Sequence, residues 1–577
     1  MSTIETDVLI VGAGPAGAAS AVFLGAHGVT NIVISRHRGT ADTPRAHITN
    51  QRAMEALRDA GLERACMQTA SPPDHIAHTF WLKSMAGEEI ARTHAWGNDP
   101  LRRGDYEAAS PCKMSDLPQT RLEPILVTEA ARLGSQVRFG AELIAFEQDS
   151  DGVTATVLDR LTGHRSTIRA RYMIGADGAR SFVADKLGLP LDGVEGLGSV
   201  FNVLCDVDLQ PYVTHRHGSL YAVIQPGSSY WAPVGVFRMV RPWNQWLVGL
   251  IVPMAAGKPE PTEVDFEERV REQIGVPDLP IKIQSTSMWT INDIVAQRYA
   301  EGRVFCMGDA VHRHPPTNGL GSNTCIQDAF NLAWKLALVI QDKAAPSLLD
   351  SYDAERQPVG RQIVARANKS MLQNNHVWDL LGAGTRTAPA EGQHADVFDS
   401  ADGRRTLREA INQMKYEYHA HGVELNRRYV SSAIVGDGTP APEYVRDPEL
   451  YYQPETFPGS ALPHAWLGRR TNSAPVSTLD VAGKGRFMLF TGPGGETWRA
   501  AAAHVAAASG VDIGVTAVGP FLDLEDLYGR WFDLCGVEEN GCVLVRPDLI
   551  VAWRSLKLPV DAHQALTQAM GQILGRP

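Results

Sequence analysis

The sequence predicts an α/β fold: a parallel-sheet unit at the N-terminus, an antiparallel sheet interleaved with it, and a separate C-terminal unit. Three observations predict this. A strand, a glycine turn, a helix and a second strand follow one another over residues 7–35. Between 201 and 252 lie four short runs rich in Val, Tyr, Trp and Phe. A Gly- and Pro-broken stretch at 436–459 then precedes a last group of apolar runs. The 577 residues are enough for several domains. We divide them at 1–181, 182–300, 301–435 and 455–577, with some strands of the second unit inserted in the first.

Asp7–Val11 reads DVLIV, an apolar run suited to a buried parallel strand. GAGPAG follows at 12–17, then an Ala-rich helical stretch to His27, closed by Gly28, and a second strand over Asn31–Ile34. Gly12 permits the tight turn, Gly14 lets the backbone approach a pyrophosphate, and Gly17 allows close helix–strand contact. The helix start, with Pro15 and Ala16, offers unpaired N–H groups to phosphates. The bare GxGxxG pattern is weak evidence, and its strand–helix setting carries the inference. The acid that usually ends the second strand and binds a ribose is missing; the chain reads Ser35-Arg36-His37-Arg38 there. Taken alone, Ser35 and Arg36 also suit a 2′-phosphate.

Two later segments repeat the design of a strand ending at an acid. RYMIGADG at 171–178 runs into Asp177, and RVFCMGDA at 303–310 runs into Gly308-Asp309. Open α/β sheets bind ligands at such carboxyl ends. The loop HRHPPTNGLGSN at 312–323 then leads into a helix from about Thr324 to Gln341. Its Gly-Leu-Gly turn presents backbone N–H groups to an anionic ligand edge.

Composition narrows the function classes. Lys+Arg total 54 against 65 Asp+Glu, a net charge of −11, which gives no electrostatic reason to expect nucleic acid or an anionic membrane. No apolar run reaches the length of a membrane span. The first strand begins too early to leave room for a signal peptide. Seven scattered cysteines, with no CxxC pair, fit a reducing cytoplasm, and no His/Cys cluster has metal-ligand spacing. We therefore expect a metal-free cytoplasmic enzyme.

Taken together, GAGPAG at 12–17, GADGARS at 175–181, GDAVHRHPPTNGLGSN at 308–323 and PRAHITNQRAME at 44–55 resemble the FAD-dependent single-component aromatic hydroxylases. The match is nearest to their phenol hydroxylase branch and spans nearly the whole chain. The resemblance implies a Rossmann-like FAD-binding domain, a substrate sheet and a thioredoxin-like C-terminal domain. It implies that Gly12, Gly14 and Gly17 hold the FAD pyrophosphate, with Ser35 and Arg36 at the adenosine. Arg45 and Gln119 would lie beside the ribityl and isoalloxazine parts. Asp177 would contact FAD and pyridine nucleotide, and Asp309 the ribitol or pyrophosphate. The turn from Pro316 through Gly319, Leu320 and Gly321 to Asn323 would line the flavin ring. NADPH would be a transient co-substrate with no Rossmann domain of its own.

The same resemblance implies the reaction. Reduced flavin takes up O₂ as a C4a-hydroperoxide, and a phenol attacks it through its ortho carbon, giving a catechol. A phenol attacks better as phenolate, so a base near its hydroxyl is needed. His47 is our candidate, flanked by Arg45, because its imidazole titrates near neutrality. His312 and His314 are its rivals. Tyr221, Trp231, Arg238, Arg241, Trp243, Met288 and Pro316 are candidate pocket residues. With no evident carboxylate-binding cluster, we expect a small phenol, chlorinated or alkylated, with a larger polycyclic phenolic as the alternative. A flavin oxidoreductase without oxygen insertion is the alternative of another class; the WxWxIP run of flavin halogenases is absent. We expect a homodimer or homotetramer, with the C-terminal unit structural. Ser351–Pro358 starts a helical stretch that Pro358 is expected to break.

Overall fold

A computed structural model describes residues 3–225, 231–252, 260–383, 400–469 and 474–576. The N-terminal sheet is built on four parallel strands: β1 (Thr3–Val11), β2 (Asn31–Ser35), β3 (Arg165–Gly175) and β4 (Val304–Cys306). They lie in the order β4-β3-β1-β2, and Gln136–Phe139 adds a further parallel strand beside β2. The last four residues of β1 and of β3, and all of β2 and β4, are apolar-rich and buried on both faces. Their ends are level: Val11 pairs with both Ile34 and Gly175, and Gly175 with Cys306. The loop after each strand therefore emerges at one edge of the sheet.

Helix α1 (Pro15–Ala26) fills one side of that sheet and packs on α2 (Gly321–Ile340), with Phe23 and Phe330 at 5.0 Å between ring centroids. The third long helix, α3 (Asp350–Leu380), carries Pro358 inside it. The expected break does not occur: the helix continues through the proline because its neighbours Tyr352, Val359 and Ile363 are locked in the core.

The second sheet has eight strands in the order His312–Arg313, Lys282–Ala296, Leu191–Asp206, Gln245–Val252, Val234–Arg241, Leu220–Ile224, His78–Leu82 and Glu89–His94. The four predicted runs are its centre. Helix Glu263–Ile274 lies in a region we read mostly as strands. It closes one face of the sheet, burying Phe266, Val270 and Ile274 against Phe201, Tyr221 and Phe237. Its signal is present in the sequence, since Thr262 and Asp265 form a capping box and Gly275 ends the helix at φ +80°.

The C-terminal unit holds a four-stranded mixed sheet, Ile513–Ala517 parallel to Phe487–Thr491, then Cys542–Val545 and Val551–Ser555 antiparallel. Helices Thr497–Ser509 and Ala562–Ile573 pack together beside it. A fully buried ionic cluster joins this unit to the long helices. Arg546 donates to both Glu355 oxygens at 2.6 and 2.9 Å and to Asp548 at 2.9 and 2.6 Å. Lys335 donates to Glu355 at 2.8 Å and to Asn331 at 2.9 Å. Its two cations hold the Glu355 carboxylate ionised despite burial. Removing one partner of such a cluster strands the others in low dielectric. Glu355→Leu is therefore expected to cost about 3–5 kcal/mol, read as a lowered urea midpoint; an unchanged midpoint would show that the cluster contributes nothing.

Candidate active site

The level strand ends define one large cleft of about 1740 Å³, bounded by the parallel sheet on one side and the antiparallel sheet on the other. Single small-molecule sites are about 300–1,000 Å³, so this volume suits a cofactor and a substrate together. Gly12, Gly14, Pro15 and Ala16 border it at the start of α1. Gly12 has φ +108°, and a Cβ there would stand 2.1 Å from the Ala176 carbonyl oxygen. Gly14 differs: the nearest atom to its would-be Cβ is Glu123 Oε1 at 3.9 Å, so it faces open space. No side chain caps α1. A bare helix N-terminus with an open glycine beside it is what a pyrophosphate requires, and on this observation the chain fits FAD.

The structure brings most of the predicted residues to this one cleft. Ser35 and Arg36 border it at the end of β2, Asp177 after β3 and Asp309 after β4. Arg45, Gln119, Pro316, Gly319 and Gly321 line it further along. Asp177 has both carboxyl oxygens engaged locally, one accepting from Ser181 Oγ and one from the Val183 amide at 3.1 Å. It thereby holds the start of the short helix Phe182–Lys186, whose N-cap is Ser181, and burial pushes its carboxyl up. Gln119 donates to Glu123 at 2.6 Å and accepts from the Arg45 amide at 3.3 Å, and Glu123 accepts from the Ala41 amide at 2.6 Å. These bonds fix the loop 41–45 over the cleft.

Four predicted cofactor residues sit behind the cleft instead of on it. Gly17 lies under Gly12, where a Cβ would be 1.9 Å from the Gly12 oxygen. Gly308 is backed by Cys325 and Ala16, and Leu320 is a core side chain. Asn323 is a tie between segments: it donates to the Ile48 and Gly319 oxygens at 2.8 and 2.5 Å and accepts from the Asn50 amide at 2.9 Å. Spacing in a motif identifies the turn but not which of its residues face outward.

The substrate candidates divide by the period-two rule of strands. Arg238 borders the cleft; its neighbour Phe237 points into the opposite layer, and so does Tyr221, its partner in the ladder. Tyr221 is fully buried there, its hydroxyl donating to the Arg216 oxygen at 2.8 Å. Trp231 packs in the same layer, its ring 5.8 Å from Phe201 and 5.7 Å from Phe266. Arg241 is exposed at the strand end, and Trp243 packs against His75, its ring tilted and 4.7 Å away between centroids, away from the cleft. Met288 borders the cleft at its exposed rim.

His47 lies on the cleft wall, buried, just ahead of the two-residue strand Ile48–Thr49 that pairs with Ser115–Asp116. Its Nδ1 stands 3.3 Å from Asp116 Oδ1, and Arg238 Nη2 is 3.7 Å from Asp116 Oδ2. Burial and the Arg238 charge push the imidazole below its usual range, against the pull of Asp116. His47 is thus neutral, with Nδ1–H directed at Asp116 and Nε2 left without a partner. The rivals are placed elsewhere. His312 is fully buried, its Nε2 3.0 Å from Asp328, and does not reach the cleft. His314 borders the cleft, but its Nδ1 is 2.6 Å from the Pro315 oxygen and burial pushes it down to about 4. Asp116 and Glu417 are acids that the sequence does not reveal. No local pattern marks either: Asp116 meets His47 from behind the wall through strand pairing with distant chain, and Glu417 borders the cleft in a turn held by Asn318. Among the described residues no cluster of metal-ligating side chains occurs, and no helix is long and apolar enough to cross a membrane.

Comparison with known proteins agrees with this geometry. A family profile described as an FAD binding domain matches residues 5–367, and one described as the C-terminal part of aromatic-ring hydroxylases matches 455–577. The chain belongs to the FAD-dependent aromatic-ring hydroxylases. It is a flavin-dependent monooxygenase with FAD as its cofactor. It is 48% identical to a 2,4-dichlorophenol 6-monooxygenase of Delftia acidovorans, covering 99% of both chains. To a phenol 2-monooxygenase of Pseudomonas sp. (strain EST1001) it is 43% identical, covering 98% of this chain and 92% of that one. Among solved structures, the flavin-dependent monooxygenase PieE in complex with FAD and substrate superposes with a TM-score of 0.93, at 44% identity over all of both chains.

Because Gly14 faces open space, Gly14→Val is expected to leave the fold and melting temperature of this hydroxylase without its cofactor largely unchanged. FAD affinity should fall at least about tenfold, measured by flavin fluorescence titration. Unchanged affinity would place the pyrophosphate away from this turn.

Proposed function

We propose that this hydroxylase adds oxygen to the ortho carbon of a small phenol, with NAD(P)H and O₂ as co-substrates and a catechol and water as products. The observation that carries the reading is His47 on the wall of the cofactor cleft, with Asp116 behind it at 3.3 Å from its Nδ1. The flavin residues are those bordering the cleft: Gly12, Gly14, Pro15, Ala16, Ser35, Arg36, Arg45, Gln119, Asp177, Asp309, Pro316, Gly319 and Gly321. Bound FAD supplies the redox chemistry, accepting a hydride from NAD(P)H and activating O₂.

The protein's own part is a proton transfer and its shielding. Neutral His47 takes the phenolic proton at Nε2. Asp116, behind it, accepts from Nδ1–H and stabilises the imidazolium that forms. Arg238 stands beside Asp116 and attracts the phenolate oxygen. Trp81, Trp96 and Tyr418 border the same end of the cleft and exclude water, Trp96 held by its Nε1 donating to Ser219 Oγ at 2.9 Å.

We read the C-terminal unit as thioredoxin-like and structural. Its Cys535 and Cys542 are buried free thiols pushed up by burial, which supports a role outside redox chemistry. All seven cysteines are free and buried, which supports a cytoplasmic enzyme. Exposed Phe521, Tyr528 and Phe532 support assembly through this unit into a homodimer or homotetramer, checked by light scattering.

The reaction is tested by following NAD(P)H oxidation over a panel of phenols with catechol formation measured. Cofactor oxidation without catechol would overturn it. His47→Ala is expected to lower kcat about 10²-fold at neutral pH. The deficit should shrink as pH rises toward the phenol's own pKa near about 10, where the substrate ionises unaided. A deficit constant with pH would remove His47 from the proton transfer. The wild type should keep its activity below the usual histidine pKa of about 6.5, since His47 is pushed down and stays neutral to lower pH.

A further inference from the structure

The cleft is bordered by buried polar atoms that have no hydrogen-bond partner: His47 Nε2, Arg238 Nε and Nη2 (the latter in an ion pair with Asp116 at 3.7 Å), Asn368 Oδ1, Asn374 Oδ1 and Glu417 Oε2. All five residues border the cleft. A buried polar atom left unmet keeps its full desolvation penalty, so a concentration of them around one cleft calls for a ligand that meets them. A lone phenol hydroxyl meets His47 and Arg238. It has neither the protons nor the lone pairs to satisfy the rest.

Glu417 is held in place for the purpose. It lies in the turn Lys415–Tyr418, whose Tyr416 and Glu417 oxygens accept from Asn318 Nδ2 at 2.7 and 3.1 Å. Asn318 belongs to the turn Thr317–Gly319, whose end residues border the cleft. Burial pushes the Glu417 carboxyl up to about 7, against Arg238, Arg366 and a bond from Asn374. His47 is pushed the opposite way. Two titratable groups bordering one cleft, one driven towards its protonated form and one kept free of its proton, divide into a donor and an acceptor.

We propose that Glu417 is a specificity-determining residue that hydrogen-bonds a second oxygen substituent on the phenol ring. Preferred substrates then carry a further hydroxyl or carbonyl group, which narrows the class from the chlorinated or alkylated phenols that the resemblance implies. This rests on the reading of the cleft as a phenol site.

The test uses the holoenzyme and pairs of near-isosteric phenols: 3-hydroxyphenol against 3-chlorophenol, and 3-acetylphenol against 3-isopropylphenol. Dissociation constants come from perturbation of the flavin spectrum, and catechol-type products are measured separately. The wild type should bind the oxygenated member of each pair at least about tenfold more tightly. In Glu417→Leu that ratio should collapse to about one; in Glu417→Gln, which keeps a donor of the same shape, most of it should persist. A wild-type preference for the chlorinated or alkylated members would overturn the proposal. So would an oxygen preference that survives Glu417→Leu, which would mean that another group bordering the cleft bonds the substituent. If the Glu417-dependent preference is seen but no phenol is hydroxylated, the reaction assignment falls and the binding site stands. If no phenol perturbs the flavin, both fall.

Discussion

The crossing of the Gly12 turn over the Ala176 carbonyl is the constraint on which the site depends. Only the missing Cβ of Gly12 lets β1 turn into α1 at a distance where any side chain would collide at 2.1 Å. The Ala176 amide donates to the Val11 oxygen at 2.8 Å and the Met307 amide to the Gly175 oxygen at 3.0 Å, so β1, β3 and β4 end together. The open helix start, Asp177 and Asp309 consequently share one edge. A shift of one residue in any of these pairings would turn its side chains to the other face and break up that edge.

The second support lies behind the edge. Asp328 on α2 is fully buried and accepts from the Gly308 amide at 3.2 Å, His312 Nε2 at 3.0 Å and Arg356 Nε at 2.7 Å. Arg356 in turn donates to the Tyr429 hydroxyl at 2.6 Å. Asp328, Asn331 and Lys335 recur at helical spacing on α2, and Glu355 and Arg356 meet them from α3. One helix face thus serves both the turn that carries Asp309 and the ionic cluster around Arg546. The charged residues of this helix pair look like a solvated face in a sequence window, yet they are its most buried polar groups.

How much was legible in the sequence depends on how local each signal is. The glycine turn, the four parallel strands that carry the cleft edge and the four central strands of the antiparallel sheet were readable because a strand end, an apolar run or a motif states them within a few residues, and His47 was picked out by the family motif around it. The facing of Tyr221 was not, because an aromatic-rich strand buried on both faces does not show which alternate set looks at the cleft. Asp116 was invisible for another reason: it meets His47 only because two two-residue strands, far apart in the chain, pair with each other. Pro358 misled because a breaker acts against a lone helix, whereas α3 is held by its packing.

The electrostatics of the cleft explain why a histidine suits its wall. Asp116 and Arg238 are an opposite pair, so the site begins near neutrality around uncharged His47. Moving the phenolic proton to His47 creates an imidazolium and a phenolate together, and each finds its counterpart already in place, Asp116 for the first and Arg238 for the second. No net charge is brought into low dielectric, which is the expensive event. A carboxylate base at the same place would start charged beside Asp116, and repulsion would drive one of the two to keep a proton. Glu417 is driven the same way by a different cause: burial pushes its carboxyl up towards the protonated form, against a bond from Asn374 and the charges of Arg238 and Arg366. Base and donor are therefore assigned by what stands behind each group, an aspartate behind His47 and only Arg238 and Arg366 at a distance from Glu417.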